Sequence, residues 1–238
     1  VAVFPFEGLP YEVPSSDVIV ERQDLLRLAQ TLGKTDRGRA LSQALKFLEP
    51  LLPLTYDHPA LPVLLKVAGY AWGDGSLSLD QISINGHPED LEAMIEDLQP
   101  WLSVSKIYSR ARSCKISTTY GVRQFDTIEH CVKIRSTGFA LLLGALGVPL
   151  GRKPTQDWRL PTWLWKAPSW QQRLFLAAFF GAELTSPAAF EKHNCNFKCP
   201  VLTVVKREKW VESGLCFLED VRRMLDGFGI RSLVISQR

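Results

Sequence analysis

The sequence predicts an α+β fold in which two similar halves follow a small helical N-terminal segment. Between residues 103 and 135, polar residues alternate with β-branched or aromatic ones, which is typical of antiparallel strands with one polar face. Elsewhere, apolar residues recur at helical spacing and the pattern stops at glycine or proline. The order helix, strand, helix, strand occurs twice, so we expect an internal repeat.

The predicted elements fall into three regions. The N-terminal segment, residues 1–57, begins with a Pro-rich stretch and continues as a helical hairpin. The first half covers residues 58–149, and the second half, residues 150–238, opens with a linker rich in Pro, Gly and Trp. Helices are predicted over residues 22–32, 37–48, 59–73, 88–98, 138–146, 170–182 and 211–228, and strands over 79–84, 103–135, 200–206 and 231–235.

The composition is that of a soluble globular protein. Hydrophobic residues make up 46% and charged residues 22% of the 238 positions, and no apolar run approaches the ~18 residues that a membrane span needs. Five cysteines are too few, and odd in number, for a disulfide framework, which favours an intracellular, cytoplasmic location. No Gly-rich phosphate loop is present, so nucleotide binding of that type is not expected.

Positive charge is concentrated in the predicted strands. The net charge is only +3, but between residues 101 and 140 seven basic residues face two acidic ones, Asp126 and Glu129. This excess predicts a surface that faces nucleic-acid phosphates, and a solvated sheet face is the alternative. The seven basic residues are Lys106, Arg110, Arg112, Lys115, Arg123, Lys133 and Arg135.

Two helices end in a similar pattern of small residues followed by an acid. The acid is Asp74 after residues 67–73 and Glu183 after residues 176–182. Glycine costs about 1 kcal/mol against alanine inside a helix, so glycines at these positions predict a close approach of the two helices. Such packing would bring the two carboxylates together, where a divalent cation such as Mg²⁺ or Mn²⁺ would relieve their repulsion. In the alternative interpretation, one acid simply follows a helix terminus and the other is an exposed side chain.

These two segments resemble the motifs of the LAGLIDADG homing endonucleases, particularly the intein-encoded type. Residues 146–153 and 160–164 are similar to the stretch that leads into the second motif of that family, and the resemblance covers residues 59–238. It implies αββαββα repeats with pseudo-twofold symmetry in a monomer whose strands lie in the major groove of double-stranded DNA. The chain begins at Val1 rather than Met, which suggests a processed or excised segment of a longer protein.

The resemblance further implies a site-specific, homing-type DNA endonuclease, a metal-dependent hydrolase of intein or intron origin. Asp74 and Glu183 would be catalytic and would bind the Mg²⁺ or Mn²⁺. Lys153, 79 positions after Asp74, would be the catalytic lysine that tunes the water nucleophile, with Arg152 as the alternative. DNA contacts are expected from the seven basic residues of the strands and from Lys206.

The second motif departs from the family pattern. Gly181 stands where an acid is usual and Leu184 replaces the final glycine, while only 55 residues follow Glu183. The second half is therefore expected to be incomplete and the enzyme to nick one strand. One alternative function is a catalytically degenerate LAGLIDADG module that acts as a DNA-binding regulator or an intron RNA maturase. The other is a structural domain inserted in a larger host protein.

Two further clusters have alternative interpretations. His193, Cys195 and Cys199 offer three soft ligands for zinc, although a structural zinc site normally has four, and an ordinary loop is the alternative. Four tryptophans in the linker are predicted to anchor it to the core, with base stacking as the alternative. They are Trp158, Trp163, Trp165 and Trp170.

Overall fold

The computed structural model describes residues 8–33, 39–118, 121–185, 188–189 and 197–236. The helices are α1 (Arg22–Thr31), α2 (Arg39–Lys46), α3 (Leu61–Trp72), α4 (Pro88–Leu98), α5 (Thr137–Ala145), α6 (Thr162–Lys166), α7 (Ser169–Glu183) and α8 (Val211–Gly227). The strands are β1 (Val18–Val20), β2 (Leu54–Thr55), β3 (Ser76–Leu77), β4 (Ile82–Asn85), β5 (Tyr108–Thr118), β6 (Gly121–Ile134), β7 (Ala188–Ala189) and β8 (Phe197–Lys198).

The N-terminal helices pack on α5. Strand β1 pairs antiparallel with β2, which places the segment that leads into α3 beside the segment that leads into α1. A reciprocal capping box fixes the start of α1, in which the backbone N–H of Glu21 donates to Asp24 at 2.8 Å. Leu25 and Ala29 of α1 and Leu45 of α2 are fully buried in the same core as α5. Both helices of the predicted hairpin are present, and residues 37 and 38, the predicted start of the second, lie outside the described residues.

Helices α3 and α7 are in direct backbone contact, as the small residues predict. A Cβ atom added at Gly69 would lie 2.6 Å from the carbonyl oxygen of Phe175 and 2.8 Å from the Cβ of Ala178. A Cβ at Gly73 would lie 2.7 Å from the Cβ of Ala182. Only glycine permits this separation, and the ends of the two helices are therefore held side by side.

Most of β5 and β6 forms a two-stranded ribbon that projects from a small sheet. The strand order is β3-β4-β6-β5, and β4 pairs only with residues 131–134 of β6. At that end Ile82, Ile84, Val132 and Ile134 are buried and attach the sheet to the core. Beyond it, residues 121–128 are all exposed, so both faces of the ribbon meet solvent.

An aromatic cluster joins the linker to α8. The ring of Trp158 lies 4.3 Å from that of Phe217, and Trp72 packs edge-on against Phe175 at 5.5 Å. The indole N–H of Trp163 donates to the carbonyl of Leu146 at 3.1 Å. The predicted anchoring of the linker by tryptophan is confirmed for these side chains.

The second half differs from its prediction at two segments. Residues 200–206 and 231–235 form no strand, because apolar alternation produces a strand only where another strand supplies hydrogen bonds. Helix α8 is confirmed. Pro168 precedes α7, and the Gln172 side-chain amide donates to the carbonyl of Ala167 at 2.9 Å.

The helices of the described ranges are all too short or too polar to cross a membrane.

Candidate carboxylate and lysine site

Asp74 and Glu183 lie at the adjoining ends of α3 and α7. Glu183 is the last residue of α7, and its Cγ would be 3.0 Å from a Cβ added at Gly73. Asp74 follows the residue that ends α3 and is exposed, whereas Glu183 is half-buried. Partial loss of hydration beside the packed helix ends raises the pKa of both carboxyl groups, and the charge of Asp74 raises the pKa of Glu183 further. The sequence therefore predicted the juxtaposition of the two acids correctly.

The ammonium group of Lys153 lies close enough to the two acids for their charges to affect its pKa. It donates hydrogen bonds to the backbone carbonyls of Trp72, at 2.6 Å, and of Gly73. Burial lowers the pKa of Lys153 to about 8, while the charges of Glu183 and Asp74 partly oppose this change. The charge of Lys153 in turn partly offsets the rise in the pKa values of both acids. Lys153, 79 positions from Asp74 in sequence, thus lies close to it in space, whereas the catalytic role that the resemblance implied for this lysine stays a prediction.

Hard oxygen donors in this arrangement suit a divalent cation. Asp74 and Glu183 supply two carboxylates, and Mg²⁺ characteristically binds one or two carboxylates, water and substrate phosphate. Within the described ranges, no group of three or more His, Cys, Asp and Glu side chains could hold a metal. A cation here would thus keep open positions for water or phosphate, and the donor set fits Mg²⁺ or Mn²⁺.

The cations of the ribbon lie mainly on one face. In the β5–β6 register, residues that pair directly, and residues two positions apart on one strand, lie on the same face. Arg110, Arg112 and Arg123 therefore share one face, and Glu129, opposite Arg110, lies on it too. Lys133 shares the basic face, whereas Lys115 lies on the opposite one. The predicted basic face is therefore real but does not include every basic residue.

Glu129 holds two of these arginines. One of its oxygens accepts a hydrogen bond from Arg112 at 3.0 Å, and the other lies 3.4 Å from Arg110. The Glu129 side chain is 26% exposed, and the arginine side chains are 72% and 53% exposed for Arg110 and Arg112. Counting charges along the sequence did not reveal this pairing, since it depends on the register of the two strands.

The remaining predicted contacts lie outside the ribbon. Lys106 precedes β5 and Arg135 follows β6, and both are exposed. Lys206 is half-buried and donates to backbone carbonyls of this chain, those of Gln156 at 2.7 Å and Lys153 at 3.1 Å. No spacing rule in the sequence pointed to these bonds.

Of the zinc candidates, His193 and Cys195 lie outside the described residues. Cys199 is an exposed, free cysteine.

No protein-family model matches the chain. Among curated proteins it is similar to the tRNA-splicing ligase RtcB of Methanocaldococcus jannaschii, at 34% identity over 98% of this chain, and to the tRNA-splicing ligase RtcB of Pyrococcus furiosus, at 31% over 98%. The chain spans only 24% and 23% of these proteins. It is also 27% identical, over 97% of its length, to the DNA-directed RNA polymerase subunit Rpo1N of M. jannaschii, of which it spans 17%. The similar segment is therefore a minor part of proteins with different names.

These findings contradict the predicted membership of the LAGLIDADG family. The relatives that are 30–34% identical over 98% of the chain are named tRNA-splicing ligases. On this comparison the predicted homing-type DNA endonuclease is wrong, with its hydrolase activity and its intein or intron origin, and so are the regulator and maturase alternatives. Small residues followed by an acid occur wherever two helices pack closely and end at a polar position, so the motif pair is not specific to one family.

Proposed function

We propose that this chain is a nucleic-acid-binding module that binds duplex DNA along the β5–β6 ribbon and holds Mg²⁺ or Mn²⁺ at Asp74 and Glu183. The observation that carries the proposal is the ribbon, which has a basic face and is exposed on both sides beyond residues 131–134. The module is a monomer, because one chain supplies both carboxylates. Similar segments belong to longer proteins, so the module would act as part of a larger chain.

The shape of the ribbon favours DNA over double-stranded RNA. The major groove of B-form DNA admits a two-stranded β-ribbon, whereas that of A-form RNA is too deep and narrow for side chains to read. Arg110, Arg112 and Arg123 share the ribbon face and can contact phosphates or the edge of guanine. Lys133 extends this face toward the sheet.

The cation site would bind the phosphate backbone of the bound strand. A cation between Asp74 and Glu183 would coordinate a phosphate oxygen, and the ammonium of Lys153 would add positive charge beside it. Burial raises the pKa of both carboxyl groups, and the charge of Asp74 raises the pKa of Glu183 further, so a bound cation would favour their ionised forms. We therefore propose that cation binding and phosphate binding support each other.

A second candidate function is chemistry on an RNA strand. It is favoured by the relatives that are named tRNA-splicing ligases. Asp74, Glu183 and Lys153 would take part in this chemistry as well, because a cation that binds phosphate does not distinguish ribose from deoxyribose. The two functions differ in the preferred strand, so a comparison of ligands separates them.

The ribbon is tested by binding of labelled nucleic acids at several salt concentrations. We expect a DNA duplex to bind better than an RNA duplex or single-stranded RNA, and affinity to fall steeply between ~50 and ~200 mM salt. Replacement of Arg123 by Ala should reduce the slope of log affinity against log salt by about 1. Arg27→Ala is the matched control, since Arg27 is 70% exposed on α1. Tighter binding of RNA would favour the second candidate, and equal slopes for both variants would refute the ribbon.

The cation site is tested with Mn²⁺, whose free form gives an electron paramagnetic resonance signal. Asp74→Asn and Glu183→Gln should each lower Mn²⁺ affinity by at least about tenfold, as expected for the loss of one of two charged ligands. Asp80→Asn is the control, since Asp80 is exposed in the nearby loop between β3 and β4. Equal affinity in all four proteins, wild type included, would exclude a site at these acids.

A further inference from the structure

The placement of Lys153 depends on a short turn. Lys153 is the first residue of a single 3₁₀ turn, Lys153–Thr155, and such a turn makes few hydrogen bonds of its own. Its ammonium group reaches Trp72 and Gly73 only while the turn stays in position. The groups that hold the turn therefore determine the geometry of the carboxylate and lysine site.

Lys206 bridges the two ends of this turn. Its ammonium group donates to the carbonyl of Lys153 at 3.1 Å and to the carbonyl of Gln156 at 2.7 Å. The indole N–H of Trp158 donates to the same Lys153 carbonyl at 2.9 Å. The backbone N–H of Arg207 adds a bond of 3.0 Å to the carbonyl of Pro154.

The side chain of Lys206 is itself fixed from two sides. Its ammonium group lies 4.2 Å from the centre of the Trp158 ring, within the range of a cation–π interaction. On the other side α8 approaches closely, since a Cβ added at Gly214 would lie 2.9 Å from the Cγ of Lys206. Burial lowers the pKa of Lys206, in keeping with an enclosed ammonium group.

We propose that Lys206 is a positioning residue: by bonding the carbonyls of Lys153 and Gln156, it holds the turn that places the Lys153 ammonium beside Asp74 and Glu183. The effect of this role on cation binding rests on the proposed cation site. The hydrogen bonds from Lys206 to the turn do not depend on that proposal. Lys206 thus acts on the site from α8's side of the molecule without touching the carboxylates. Its assignment as a DNA contact is replaced by this role.

The test compares Lys206→Met, which keeps the aliphatic stem, with Lys206→Arg, which keeps hydrogen-bond donors. In the metal-free full chain, backbone amide hydrogen exchange at residues 153–158 should be at least about tenfold faster in the Met variant, because the turn loses its bonds to a charged donor. Exchange in α3 and α7 should not change. The Arg variant should restore slow exchange. Lys209→Met is the control, since Lys209 is exposed and near α8. Unchanged exchange at the turn in Lys206→Met would overturn the proposal.

A double-mutant cycle supplies a second readout. Lys153→Met removes a cation from the site and should raise Mn²⁺ affinity, and Lys206→Met should raise it partly by releasing that cation. If Lys206 acts through Lys153, the double variant should match Lys153→Met alone, whereas additive effects would overturn the proposal. If Lys206→Met does not fold, Lys206→Gln replaces it in both comparisons. A wild-type protein that binds no Mn²⁺ would refute the cation site, and hydrogen exchange would still decide the role of Lys206.

Discussion

Replacing Gly69 by Ala tests whether close packing of α3 and α7 holds the two carboxylates together. Helix propensity alone favours alanine by about 1 kcal/mol. The new Cβ, however, would lie 2.6 Å from the carbonyl oxygen of Phe175 and 2.9 Å from the backbone nitrogen of Phe179. These are backbone atoms and cannot rotate away, so the helices must separate, and overpacking of this kind costs about 1–3 kcal/mol. After the gain in propensity is subtracted, we expect a net loss of about 1 kcal/mol in the free energy of unfolding.

A matched control is available on the partner helix. A Cβ at Gly181 meets no atom within 4 Å, so Gly181→Ala should gain up to about 1 kcal/mol from propensity alone. For a chain of this size, 1 kcal/mol changes Tm by about 2–4 °C, so Gly69→Ala should lower Tm by about 2–4 °C and Gly181→Ala should raise it slightly. Urea unfolding and thermal unfolding followed by circular dichroism measure both. Equal stability of the two variants would refute the argument from close packing.

Two further predictions concern charge. Replacement of Glu129 by Gln frees Arg110 and Arg112, so affinity for unrelated DNA duplexes should rise. The slope of log affinity against log salt, measured by fluorescence anisotropy, should steepen by about 1. An unchanged slope would mean that the two arginines do not contact phosphate. For Lys153 the folded-state pKa of about 8 lies below the ordinary value of 10.5, so the folded chain binds fewer protons and gains stability as pH rises from 8 to 10.5. That difference corresponds to at most about 3 kcal/mol. Relative to Lys153→Met, wild type should therefore become more stable over this pH range in urea titrations, and parallel pH profiles would contradict the burial of the ammonium group.

Local patterns in the sequence determined much of the first half. The helices α3, α4 and α5 follow from apolar spacing between breakers, and the Ser136 side chain caps α5 by accepting from the N–H of Phe139 at 3.2 Å. Glycines inside two helices were sufficient to predict their contact and the meeting of Asp74 with Glu183. These features depend on residues that are close in sequence or that recur with a fixed period. A single sequence is therefore sufficient to predict them.

Tertiary structure decided what depends on pairing partners. The segments 200–206 and 231–235 have strand-like alternation, yet they form no strand, because pairing requires a partner strand at hydrogen-bonding distance. The register of β5 and β6 decided that Lys115 lies on the opposite face from Arg112 and that Glu129 lies between two arginines. Long-range packing likewise placed Lys206 on the turn that carries Lys153, 53 positions away. The Lys206 ammonium donates there to backbone carbonyls, and every residue has such a carbonyl, so the side-chain pattern does not reveal the partner.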